Sequence, residues 1–326
     1  MVARALGSGD EVLARERTTH ALGYGFVLGV GFSTLVWLML DKLVALLGAS
    51  GETAGLAVHF LQIIVPSMPF LILGMMGSAV LRAHGDARRA MMATIAGGVV
   101  NAVLDPILIF GLDLELTGAA IASVAARLTI CFMAIWPLVK IYQGIVRPKF
   151  RGMLRDLGPV LAIAFPTILA QVATPVGQAW VTRSMAEYGE EAVAGMAIIG
   201  RLTPIAFGTI FALSGAVGPI IGQNYGARDF TRVRRTLYDA LLFTGIVVLV
   251  ATVILFFLRS HIAALFSAEG VSLSLIFLFC GPLALIFFFN GMLFVSNACF
   301  NNLGRPFYST WLNWGRHTLG TIPLVW

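Results

Sequence analysis

The sequence predicts an all-α integral membrane protein built from two six-helix bundles related by a pseudo-twofold repeat. Three observations carry that expectation: the composition, the length of the apolar runs, and an internal repeat at one constant offset. Of 326 residues, 58% are hydrophobic and only 12% charged, and the mean hydropathy is +0.89. A soluble domain carries about 25% charged residues and could not hide so much apolar surface. Each apolar run is about 20 residues long, enough to cross roughly 30 Å of hydrocarbon.

The runs place spans at His20 to Leu40, Ala54 to Leu81, Ala90 to Leu112, Thr117 to Ile141 and Leu157 to Thr182. They continue at Ala192 to Gly222, Leu237 to Leu258, Ser272 to Phe300 and Phe307 to the C-terminus. That makes about nine crossings. Sorting every Lys and Arg by loop supports the count. One alternating set holds Arg4, Arg15, Arg17, Arg82, Arg88, Arg89, Lys140, Arg147, Lys149, Arg151, Arg155, Arg228, Arg232, Arg234, Arg235 and Arg305. The other holds only Lys42, Arg183 and Arg259, while Arg127, Arg201 and Arg316 lie within spans. Cytoplasmic loops collect basic residues, so Met1 is expected on the cytoplasmic side of a cell membrane, the inner one in a two-membrane cell. The formal charge of +6 is then a solvated inner face, and nucleic acid is not a partner.

Prolines recur inside the spans, at Pro66, Pro69, Pro106, Pro137, Pro166, Pro175, Pro204, Pro219 and Pro282. Each removes a helical hydrogen bond, which a membrane tolerates where neighbouring helices or a watery cavity satisfy the freed carbonyl. Small pairs such as Gly25 with Gly29 and Gly218 with Gly222 let helices approach closely. The cysteines, Cys131, Cys280 and Cys299, all sit in apolar segments without paired spacing, which suggests neither disulfides nor a thiolate metal site.

The repeat begins where Ala5-Leu6-Gly7-Ser8-Gly9-Asp10 resembles Asn224-Tyr225-Gly226-Ala227-Arg228-Asp229, each followed by a basic helix start. The same offset pairs Ala21 with Ala240, Leu46 with Leu265, Gly51 with Gly270, Ala79 with Ala298 and Gly85 with Gly304, without a gap. Glycine and aspartate matches in loops are informative, because apolar composition does not force them. By subtraction, each half lacks a piece that the other possesses. The expected organisation is an N-terminal bundle at 1–141 without its first helix and most of its second, a cytoplasmic linker at 142–156, and a C-terminal bundle at 157–326 without its end. About nine of twelve helices would be complete or nearly so, with the two halves related by an axis along the membrane normal.

Three stretches of the first half resemble a known family. These are Leu81-Arg82-Ala83-His84-Gly85-Asp86-Ala87-Arg88-Arg89-Ala90-Met91, Asn101-Ala102-Val103-Leu104-Asp105-Pro106-Ile107-Leu108-Ile109-Phe110-Gly111, and Thr117-Gly118-Ala119-Ala120-Ile121-Ala122-Ser123. They are similar to the fourth to sixth helices of multidrug and toxic compound extrusion (MATE) transporters. Gly218-Pro219-Ile220-Ile221-Gly222-Gln223-Asn224-Tyr225-Gly226-Ala227 is similar to the end of that family's eighth helix. The resemblance covers essentially the whole chain, from the end of the family's second helix into its eleventh. It implies a secondary active antiporter, in which inward flow of Na⁺ or H⁺ drives export of amphipathic or cationic drugs or metabolites by alternating access. No cofactor beyond the coupling ion is implied, and the expected partners are the lipid bilayer and small amphipathic or cationic substrates, bound by a monomer.

Within the spans Asp105 is the one deeply placed acidic residue, and an intramembrane carboxylate is costly enough to be a functional hypothesis by default. Asn101 lies one turn earlier on the same face. Ser123 is about as far as Asp105 from the outer turn at Gly111 to Leu116, so antiparallel neighbours would hold both at similar depth. Pro106 cannot donate to the Ala102 carbonyl, which leaves another oxygen nearby. Together these groups suit Na⁺ or a proton relay. In the family, the matching positions surround an acidic residue on the first helix, which this chain lacks. The competing structural reading pairs Asp105 with Arg127 as a buried ion pair.

In the second half, Gln171, Gln178, Arg201, Asn290 and Asn297 are polar groups in spans, suited to a cavity wall or to interhelical hydrogen bonds. His59 suits a proton carrier or a packing donor. The competing function is a lipid-linked oligosaccharide or lipid II flippase of the same superfamily. A channel or scaffold is disfavoured by the duplicated bundles. An enzyme is disfavoured because no His-Glu-x-x-His, Gly-x-Ser-x-Gly or paired catalytic carboxylates occur.

Overall fold

The computed structural model describes residues 1–318 and 320, and among these every regular element is helical. The chain divides into two compact units, Met1–Asp156 and Leu157–Trp326.

Unit 1 opens with a short helix α1 (Val2–Gly7), followed by α2 (Glu11–Leu38). Asp10 caps α2, its carboxylate accepting from the Leu13 amide at 2.9 Å, which satisfies one of the donors a helix start leaves free. Next come α3 (Leu40–Leu46), α4 (Gly51–Ile64), a single 3₁₀ turn at Val65–Ser67, and α5 (Met68–Ala83). Asp86 caps α6 (Ala87–Pro106), which runs into a π-helical turn at Ile107–Gly111, and α7 (Glu115–Lys140) follows. Small residues set the packing distances. A Cβ at Gly29 would lie 3.1 Å from the Pro69 backbone, and one at Gly118 would lie 2.7 Å from the Leu108 carbonyl carbon. Helices α2 and α5, and α7 and the end of α6, therefore meet backbone to backbone.

Helix α8 (Phe150–Ala186) starts in unit 1 and carries the chain into unit 2. Unit 2 continues with α9 (Glu190–Gly226), α10 (Phe230–Leu265), α11 (Gly270–Leu278), a π turn at Phe279–Leu283, α12 (Ala284–Asn302) and α13 (Pro306–His317). Its core joins Phe207 and Ile210 of α9 to Val248 and Leu255 of α10, with Ile276, Phe279 and Ala284 from the broken helix. Phe207 stacks on Phe287 with centroids 3.9 Å apart.

The repeat reappears in the backbone. Residues with left-handed φ pair at the sequence offset: Gly9 with Arg228, Gly48 with Ser267, Gly51 with Gly270, and Gly85 with Gly304. Asp229 caps α10 as Asp10 caps α2, accepting from the Arg232 amide at 3.0 Å. Helix ends match too, since α5 and α12 stop at the paired residues Ala83 and Asn302. One difference is local: α10 is continuous where unit 1 breaks at Met39 between α2 and α3.

Among the described residues, eight helical segments are long and apolar enough to span a membrane: Glu11–Leu38, Gly51–Ala83, Ala87–Gly111, Glu115–Lys140, Phe150–Ala186, Glu190–Gly226, Phe230–Leu265 and Gly270–Asn302. They follow the first eight predicted spans. The ninth begins with α13, and its remainder lies outside the described residues. Large apolar side chains such as Leu28, Phe32, Phe243 and Phe257 stand exposed along α2 and α10, where lipid covers them. The chain is a multi-pass membrane protein. Of the segment expected as a linker, residues 150–156 are helical, forming the first turns of α8.

Candidate functional site

In unit 1, Asn101 and Asp105 sit one turn apart near the end of α6, as their spacing predicts. The Asn101 amide donates to Asp105 Oδ1 at 3.4 Å. That bond leaves the second carboxylate oxygen and the amide oxygen uncommitted, both acceptors for a cation or a proton. Both side chains are half-buried. Ser123, on the facing helix α7, is also half-buried and makes no side-chain hydrogen bond among the described residues. Close packing of α7 on the end of α6, through Gly118 against Leu108, brings these two helices together but does not bond Ser123 to Asp105.

Arg127 does not pair with Asp105. Its Nη1 donates to the Ile64 carbonyl and to Ser67 Oγ, both at 2.9 Å. The cause is the break between α4 and α5. Pro66 and Pro69 have no amide hydrogen, so the chain loses helical donors at the 3₁₀ turn and its carbonyls need others. Ser67 Oγ donates to Ile64 O at 2.6 Å, and Ser33 Oγ of α2 donates to Val65 O, also at 2.6 Å. Because Pro69 cannot serve Val65 O, the Ser33 hydroxyl replaces the missing helical bond. Arg127 thus fastens the kinked helix, and Asp105 has no basic partner among the described residues. The sequence held a clue to this arrangement in the two prolines flanking Ser67.

His59 Nε2 lies 3.1 Å from Thr117 Oγ1 at the start of α7, on an exposed surface. In unit 2, Gln171 and Gln178 of α8 and Arg201 of α9 are exposed, and Asn290 of α12 is half-buried. None of the four side chains makes a hydrogen bond among the described residues, so the interhelical bonds expected of them do not form there. Their helices turn other faces to the core: α9 packs through Gly195, Phe207, Ile210 and Ile221, on the side opposite Arg201. Asn297 Oδ1 is buried without a hydrogen-bond partner among the described residues. An open cavity of about 440 Å³ lies at the turn between α10 and α11, lined by Ser260, Ser267, Glu269, Leu273 and Phe277, and the candidate residues do not line it.

Sequence reasoning missed a polar assembly on the segment after α7. Tyr142 Oη donates to Asp86 Oδ2 at 2.8 Å, and the Val146 amide donates to Thr19 Oγ1 at 2.9 Å. Further on, Tyr24 Oη donates to the Met153 carbonyl, and His20 Nδ1 meets Asp156 Oδ2 at 2.8 Å. A carboxylate only accepts, so Nδ1 carries the proton of that bond. The side chains of His20 and Asp156 are 4% and 9% exposed. Residues 142–156 are therefore a strap fastened along α2 and the α5–α6 turn.

Asp86 belongs to the same assembly. Burial alone would push its carboxyl up. Hydrogen bonds from the Arg89 amide, the Arg89 side chain and Tyr142, with the nearby guanidinium charge, outweigh burial and hold it below the usual carboxylate range.

The sequence matches the MatE family over residues 1–107 and 166–326. It is 29% identical over 335 aligned positions to the FAD transporter of Shewanella oneidensis, covering 99% of this chain and 73% of that protein. It is 28% identical over 274 positions to the multidrug export protein MepA of Staphylococcus aureus, covering 82% of this chain and 60% of that one. Among solved structures, the fold superposes on the Vibrio cholerae MATE transporter VcmN with a TM-score of 0.91 at 23% identity, covering 99% of this chain and 74% of that one. A MOP superfamily transporter from Pyrococcus furiosus gives 0.86 at 23% identity, covering 97% and 72%.

Proposed function

Because the chain belongs to the MatE family of membrane transporters, we propose that it serves a secondary antiporter in which Asp105 answers the coupling cation. Inward movement of Na⁺ or H⁺ is exchanged for outward movement of an amphipathic substrate, and the two bundles alternate access. Met1 lies on the cytoplasmic side, and the transporter works as a monomer.

The observation that carries this reading is the state of Asp105: a carboxylate within a membrane span, touched by the Asn101 amide and, among the described residues, paired with no arginine. A group placed only for packing would be paired, because an uncompensated intramembrane charge costs several kcal/mol. Held by one long neutral hydrogen bond, Asp105 can exchange a proton or bind Na⁺ without first breaking an ion pair. Asn101 supplies a neutral amide oxygen beside it, and Ser123 on the facing helix α7 offers a hydroxyl that makes no side-chain hydrogen bond among the described residues.

The relatives point to two cargo chemistries, a flavin dinucleotide and assorted drugs. We assign to this chain an amphipathic or cationic small-molecule cargo, a drug or a metabolite. Transport in proteoliposomes, with the gene's full reading frame, tests the proposal. Asp105→Asn abolishes cation-driven export of ethidium or FAD, and Asn101→Ala weakens it. Undiminished cation-driven export by Asp105→Asn overturns the coupling role, and transport of neither cargo class by the wild type overturns the substrate assignment.

A further inference from the structure

We propose that the strap at residues 142–156, which runs from the end of α7 into the first turns of α8, is a binding surface for anionic phospholipid headgroups. The inference needs the chain to span a membrane and does not rest on the coupling role of Asp105. Four basic residues, Arg147, Lys149, Arg151 and Arg155, fall within nine positions of the start of a span. The carboxylates near them are already committed. Glu16 is shared by Lys149 at 3.7 Å and Arg155 at 3.9 Å, and Asp156 is taken by His20 and Arg155. Arg147 and Arg151 are exposed and make no ion pair among the described residues.

Interleaved with these cations are side chains that water does not suit. Phe150 is 75% exposed and Leu154 56% exposed. A phenylalanine standing free between Lys149 and Arg151 is unfavourable in water and equally so in hydrocarbon with its neighbours. At the headgroup boundary both are served, since the ring enters the acyl edge while the guanidinium groups meet phosphate. The strap can present this face steadily because its other side is fixed by Tyr142 to Asp86, Val146 to Thr19, and His20 to Asp156. Charge complementarity selects the occupant: an exposed surface with two unpaired arginines beside a bilayer fits an anionic lipid and not a zwitterionic one.

The test is native mass spectrometry of the purified full chain titrated with phosphatidylglycerol or phosphatidylcholine. Wild type retains phosphatidylglycerol in preference. Arg147→Gln with Arg151→Gln lowers that preference about 25-fold, at roughly fivefold for each arginine near the surface. Both positions are exposed, so thermal unfolding of the double variant matches wild type. Arg232→Gln with Arg235→Gln on α10, whose cations face the capping Asp229 and Asp239, leaves the preference intact. Three outcomes overturn the proposal: equal retention of both lipids by wild type, an unchanged preference in the Arg147 and Arg151 variant, or an equal loss in the α10 control. Displacement of the lipid by low millimolar inorganic phosphate would also overturn it, by making free phosphate the ligand.

Discussion

Removing the His20 imidazole should release the strap while leaving the bundle folded. In His20→Ala, the Asp156 carboxylate stays buried with one remaining partner, Arg155 Nε at 3.4 Å, whose side chain is 66% exposed. Breaking a buried pair by deleting one member costs about 3–5 kcal/mol. The exposed Arg155 contact recovers only about 0–1 kcal/mol in high dielectric. The expected loss is therefore about 3 kcal/mol, confined to the segment that the pair holds. Hydrogen exchange reads such local opening directly, and 3 kcal/mol corresponds to roughly a 150-fold larger open population. The reporters are the Val146 amide, bonded to Thr19 Oγ1, and the Met153 amide, bonded to Lys149 O at 2.9 Å. Asp156→Asn keeps an acceptor but loses the charge, so it costs less, about 1–2 kcal/mol. In the Asp156→Asn background, His20→Ala should cost at least about 1.5 kcal/mol less than in wild type. Unchanged exchange at Val146 and Met153, or additive effects in the double variant, would refute the claim that this pair holds the strap.

Two further predictions concern unit 1. Gly118→Ala should destabilise the protein by about 1–3 kcal/mol, because its Cβ would meet the Leu108 backbone, which cannot move aside. Gly98→Ala, where nothing lies within 4 Å of the added carbon, should be neutral or slightly stabilising, and thermal unfolding of the two variants in detergent separates them. Asp86 should make stability fall in acid. Its folded pKa lies below its unfolded value, so its contribution is complete above about pH 4 and is lost as pH falls through the folded pKa. Unfolding temperatures measured from pH 6 down to pH 3 should drop less steeply in Asp86→Asn than in wild type.

Much of the architecture was legible because a membrane leaves few choices. A span must be long, apolar and helical, so hydropathy alone located the eight membrane-length segments, and loop glycines disclosed the repeat. The turn from Asn101 to Asp105 was equally readable, since spacing of four on a helix fixes a shared face. Partners across the fold were less accessible. Arg127 found main-chain carbonyls, which no side-chain pattern advertises, although Pro66 and Pro69 marked where carbonyls would be short of donors. The pairing of His20 with Asp156 spans 136 positions. Nothing local distinguishes these residues from solvated loop charges, so the strap read as a plain linker.

The shared left-handed turns carry a historical consequence. From Gly9 with Arg228 to Gly85 with Gly304, the two halves stay in step without one inserted or deleted residue. One extra residue in a helix would rotate every later side chain by about 100° and turn its core face toward lipid. Substitution has been free to rewrite the text between the turns, even placing Arg228 and Ser267 where the other half keeps glycine. Length has not been free. For an engineer recombining or extending such bundles, phase is the quantity to preserve, and swaps should be cut at these turns, where the two halves are already interchangeable in register.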